Sequence, residues 1–178
     1  ILLMWPTFDT DHVLVSAQEM FNIEAEAISK GFSIEALMQK VGQSMADWLL
    51  ERPYLLDKGV LIIVGPGHNG GDGLVVAKEL LRARIDVRLW CPLGIKKPLT
   101  SENLRYAKWL GIEQIQYAPD PKSNELWIEA LFGLGQVRPL PRDLAEIFQE
   151  RERLKPGGLV SLDIPAGLCS DSGMPFKG

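Results

Sequence analysis

Val60-Leu61-Ile62-Ile63-Val64, followed at once by Gly65-Pro66-Gly67-His68-Asn69-Gly70-Gly71-Asp72-Gly73, decides the fold. An unbroken apolar run of this length suits a strand covered on both faces, as in a parallel sheet. The glycines then make a turn, and from about Asp72 to Arg82 the apolar spacing is helical. Strand, glycine-rich turn and helix in this order open a βαβ unit.

Downstream the alternation continues. Residues 85–90 read as a strand, 100–110 as a helix, 114–117 and 125–131 as strands, 141–153 as a helix and 158–164 as a fifth strand. Right-handed crossovers then predict a parallel sheet in the order 3-2-1-4-5. Upstream, residues 16–50 carry no strand pattern. Ser16 with Glu19 forms a capping box, Gly31 stops a first helix, and Ser33 caps a second. The expectation is a three-layer α/β/α, Rossmann-like fold with a mostly parallel central sheet and a helical extension at one side.

Composition excludes several classes. With 46 % hydrophobic and 24 % charged residues the chain has enough apolar surface for one packed core. Its 19 basic and 23 acidic residues form no single-sign run, which argues against a nucleic-acid footprint. No apolar stretch approaches a membrane span. The start, Ile1-Leu2-Leu3-Met4-Trp5-Pro6, lacks the basic leader and long core of a signal peptide. Two cysteines, Cys91 and Cys169, make neither a disulfide framework nor a metal motif, so a reducing, cytoplasmic setting is expected. The chain does not begin with Met and its last stretch, 171–178, is loop-like, so it reads as a fragment of a longer protein, a single domain cut short at its C-terminus.

Ligands of such sheets bind beyond the carboxyl ends of the strands. Three loops lie there. The first, 65–73, holds five glycines in nine residues and a literal GxGxxG, which favours a ligand loop over a bare turn. No Lys-Ser/Thr follows, which excludes a P-loop. The second strand ends Leu89-Trp90-Cys91, without the acid that a dinucleotide dehydrogenase uses on the ribose. The second loop follows Glu129 and carries Gly133, Gly135 and Arg138, a residue that could pair with a phosphate. The third begins Asp163-Ile164-Pro165, which holds a carboxylate at the catalytic edge of the sheet.

Taken together these segments resemble the YjeF N-terminal domain family, the NAD(P)H-hydrate epimerases. Residues 15–20 are similar to its opening helix, 36–42 to its "LMExAG" segment, 65–73 to "GxGNNGGDG", 129–135 to "DALFGTG" and 163–168 to "DIPSGL". The resemblance covers about residues 13–178. It implies an epimerase that interconverts the R and S forms of hydrated NADH and NADPH, a homodimer, and an ADP- or ATP-dependent dehydratase fused behind it or working with it.

By position, the resemblance assigns substrate binding to His68, Asn69, Gly70, Gly71 and Asp72, to Gly133, Leu134, Gly135, Gln136, Val137, Arg138 and Pro139, and to Asp163. It assigns a potassium ion to Asn69, Glu129 and Ala166. Proton transfer at the epimerised carbon falls to Asp163 first and Asp72 second. The helix start at 70–73 is expected to take the pyrophosphate. Five positions depart from the family: Glu129 and Ala166 stand for its Asp and Ser, His68 for Asn, Leu134 for Thr and Gln39 for Glu. Three of them, Glu129, Ala166 and Leu134, keep a second reading open, a nucleotide-binding or interaction module with the same fold and weak or lost catalysis.

Overall fold

The structure is a computed structural model that describes residues 14–176. The apolar start at 1–6 and the last two residues, Lys177 and Gly178, lie outside the described residues. Five strands, β1 (Val60–Val64), β2 (Val87–Trp90), β3 (Glu113–Ile115), β4 (Leu126–Ala130) and β5 (Leu159–Ser161), pair in parallel in the order β3-β2-β1-β4-β5. The expected order holds, with the fully buried β1 at the centre.

Successive side chains of β1 point to opposite faces of the sheet, and each face has its own core. Val60, Ile62 and Val64 join Leu126, Ile128 and Ala130 on one face, under helices α2 (Ile34–Leu50), α3 (His68–Arg82) and α4 (Pro98–Trp109). Leu61 and Ile63 join Trp127 and Leu131 on the other, under α5 (Arg142–Leu154). Buried Arg151 of α5 donates to the carbonyls of Pro121, Ser123, Glu125 and Gly158, which fastens α5 to the turns at the bottom of β4 and β5.

The two N-terminal helices divide. α2 belongs to the helical layer: Met38, Gly42, Ala46 and Leu49 form its buried stripe, and a Cβ at Gly42 would lie 2.5 Å from Val75 Cβ of α3. α1 (Ala17–Ser29) has the expected capping box but buries no residue fully. Its first N–H donates to Asp171 Oδ1 at 2.8 Å.

Two boundaries that shape the site differ from the sequence reading. α3 starts at His68, four residues early, with Gly67 as its N-cap. Most of the glycine-rich segment is therefore the first turn and a half of a helix. Its unpaired N–H groups are those of residues 67–70 rather than 70–73. β5 stops at Ser161 because Asp163 turns the chain with a left-handed φ of 64°. Aspartate is among the few residues that tolerate this conformation.

Candidate functional site

The glycines of the first loop are there for close packing. A Cβ at Gly65 would collide with the Leu131 carbonyl, one at Gly70 with the Gly65 carbonyl, and one at Gly71 with Met38. One at Gly73 would stand 2.7 Å from Ala130 Cβ. Only Gly67 of the five meets open space. The glycine run thus lowers α3 onto β1, β4 and α2, and this is what brings Asn69 and Asp72 to the carboxyl edge. Four of the five glycines answer to protein neighbours.

All three loops meet at that edge. Asn69 Nδ2 donates to the Phe132 carbonyl at 2.8 Å and to the Leu162 carbonyl at 3.3 Å. Leu134 N–H donates to Asp163 Oδ2 at 3.1 Å, and Gly133 sits so close that a side chain there would strike the same oxygen. The Gln136 amide joins the second and third loops, donating to the Pro165 carbonyl and accepting from Gly167 N–H.

Above this junction lies a cavity of about 490 Å³. Its floor is His68, Asp72, Leu134 and Asp163; its walls are apolar side chains of α1 and α2, among them Met20, Phe21, Leu37, Met38 and Val41. Asn69, Gly70, Gly71 and Gly133 lie behind the floor, and Gly135 abuts the Phe21 ring from outside. Val137, Arg138 and Pro139 are exposed and do not line the cavity.

The floor is acidic and poorly solvated. Burial, then the charges of Asp163 and Glu24, push the Asp72 carboxyl up to about 7. Burial also raises Asp163, against the hydrogen bond from Leu134 N–H. His68 falls below its ordinary value through burial and then the nearby Lys97 charge, against Glu24, which raises it. Two carboxyls held in different surroundings, one near neutrality, form an arrangement that can give a proton and take one back.

Of the residues assigned to an ion, Glu129 and Ala166 are hydrogen-bonded to each other, and Asn69 reaches the Leu162 carbonyl, whose own N–H donates to the Glu129 carbonyl. Asn69 Oδ1 is buried without a hydrogen-bond partner. Glu129 is 2 % exposed and accepts from Leu131 N–H at 2.6 Å and Ala166 N–H at 3.0 Å. Its carboxyl is nonetheless raised, because burial outweighs these donors. An orphaned amide oxygen, a buried carboxylate and the Phe132 and Leu162 carbonyls are all hard oxygen donors, as an alkali cation requires. Ala166 contributes no side-chain oxygen. Among the described residues no group of three or more His, Cys, Asp or Glu could hold a metal.

Sequence reasoning missed Glu24 of α1, which lines the same cavity. The signal was present: Glu24 is four residues from both Met20 and Ile28, on the apolar stripe of the helix. What that stripe faces became known only with the fold.

A model of the family described as "YjeF-related protein N-terminus" matches residues 34–177. The bifunctional NAD(P)H-hydrate repair enzyme Nnr of Thermosynechococcus vestitus is 39 % identical over 96 % of this chain, which covers 33 % of that protein. The NAD(P)H-hydrate epimerase of Anopheles darlingi is 31 % identical over 89 % of this chain and 72 % of its own length. The crystal structure of yeast ynu0 (YNL200c) superposes with a TM-score of 0.79 at 24 % identity, over 93 % of this chain and 75 % of that one, which supports the fold. The chain spans about a third of the length of the bifunctional relatives it matches.

Proposed function

The chain belongs to the family of YjeF-related protein N-termini, and from that premise we propose that it epimerises hydrated NADH and NADPH at the hydroxylated ring carbon. The observation that carries the reading is the Asp72 and Asp163 pair on the floor of an otherwise apolar cavity, at the carboxyl edge of a parallel sheet.

Inversion needs one bond at that carbon to break and re-form. Either the hydroxyl leaves as water and returns to the other face, or the ring C–N bond opens to an aldehyde and recloses. Both routes deliver a proton to a leaving oxygen or nitrogen and remove one from the returning group. Asp72, protonated up to about pH 7, is the donor. Asp163, its carboxylate steadied by Leu134 N–H, is the acceptor. Apolar walls exclude bulk water and keep the reactive ring from side reactions. At the His68 end of the cavity the N–H groups at the start of α3 receive the pyrophosphate, with Lys97 nearby.

Of Asn69, Glu129 and Ala166, the first two would hold potassium through side-chain oxygens, Asn69 Oδ1 and the Glu129 carboxylate. A bound cation supplies positive charge that fixes the loops and the electrostatics behind the floor. The S form made here passes to a dehydratase, a partnership that the names of the bifunctional relatives support. The protein works as a homodimer in the cytoplasm. Among the described residues no helix is long and apolar enough to cross a membrane.

Conversion of purified R form to S form, followed above the spontaneous background, tests the proposal. Acceleration by the protein supports it. Nucleotide binding with no acceleration supports instead the module without turnover, the reading favoured by Glu129, Ala166 and Leu134.

A further inference from the structure

α1 faces the cavity with Met20, Phe21, Ala25 and Ile28, and one acid, Glu24, stands on that same apolar stripe. Glu24 is half-buried there, whereas its sequence neighbour Ile23 is 54 % exposed. A helix placed by burial alone would put the acid outside and the isoleucine inside. The helix is tied to the third loop, where Asp171 Oδ1 accepts its first N–H, and Glu24 lines the cavity together with His68, Asp72 and Asp163.

The lining restricts what can enter. Three carboxyl groups around one small space disfavour a phosphate or any other anion. Apolar side chains of α1 and α2 suit the faces of a flat ring. Carboxylates suit hydrogen-bond donors, such as a carboxamide N–H or a ring hydroxyl. The positive features, the start of α3 and Lys97, lie at the His68 end. The substrate is thereby oriented with its neutral ring inward and its phosphates outward.

We infer that Glu24 is a substrate-binding residue: from α1 its carboxylate accepts a hydrogen bond from the carboxamide or ring hydroxyl of the hydrated nicotinamide, and so selects ligands that carry that ring. The inference rests on the epimerase reading and adds to it a residue and an orientation.

The experiment compares the full protein with Glu24→Gln and Glu24→Asp. Steady-state epimerisation of hydrated NADH gives KM and kcat, and inhibition by ADP-ribose, which has the phosphates but lacks the ring, gives a second affinity. A hydrogen bond to a charged group lost on ring binding predicts a KM roughly 10-fold or more higher in Glu24→Gln. It also predicts ADP-ribose affinity within about twofold of the parent, partial recovery in Glu24→Asp, and kcat largely kept. An unchanged KM in a folded Glu24→Gln, or an equal loss of ADP-ribose affinity, overturns the assignment. A parent protein that neither epimerises nor binds ADP-ribose overturns the epimerase reading and the assignment with it.

Discussion

Asp163 Oδ2 accepts the main-chain N–H of Leu134 at 3.1 Å, and this bond ties the turn after β5 to the turn after β4 across the carboxyl edge of the sheet. It forms only because Asp163 adopts a left-handed backbone, which aims its side chain at the second loop. A strained conformation retained at such an edge is commonly part of a site. Asparagine also tolerates this conformation, so Asp163→Asn removes charge with little change in shape.

Asp72 makes stability depend on pH. Its carboxyl rises from 3.8 to about 7 on folding, so the folded state binds the proton more tightly than the unfolded state does. The stability that this provides is complete below about pH 4 and is lost as pH rises through about 7. Asp72→Asn carries no such loss. Its melting temperature relative to the parent is expected to be higher at about pH 8 than at about pH 5. A difference that stays constant between those two conditions would show that Asp72 titrates normally.

The glycines divide into two kinds. Gly70→Ala drives a methyl into the Gly65 carbonyl, and the fold has no flexible side chain there to yield. Its cost should reach about 3 kcal/mol or more by chemical denaturation. Gly67→Ala meets open space at the N-cap and should cost about 1 kcal/mol or less. Equal costs would mean that packing is not what the glycines serve.

Potassium should act weakly on the parent chain. Ala166 has no side-chain oxygen, and Glu129 already spends its carboxylate on two main-chain donors. The double variant Glu129→Asp with Ala166→Ser restores a shorter acid and a hydroxyl. Thermal stabilisation by potassium chloride over an equal concentration of a larger-cation chloride should be greater in the double variant. If neither protein responds, the oxygens behind Asn69 do not serve an ion.

The strand order was legible because β1 is apolar at every position and the later strands alternate with helical spacing. Asp163 was legible too, as an acid directly after an apolar strand. The start of α3 was not. Glycines have poor helix propensity, and only their burial against β1, β4 and α2 makes His68 to Gly71 helical. Whether a glycine makes room for a ligand or for a neighbouring strand depends on contacts that are distant in sequence. The second loop shows the converse: Leu134 lines the cavity, Gln136 turns back to Pro165 and Gly167, and Val137 to Pro139 point to solvent. Neighbours in sequence thus take different places relative to the cavity.

The most direct test of the paired-carboxyl account is the epimerisation rate of Asp163→Asn and Asp72→Asn in the full protein, above the spontaneous background and with substrate binding measured alongside. Loss of a general acid or base lowers turnover by roughly 10²–10⁴-fold. Each variant is expected to fall by that amount while still binding the hydrated nucleotide. If both variants retain near-parental turnover in an active protein, proton transfer occurs elsewhere and the floor of this cavity is not the reacting centre.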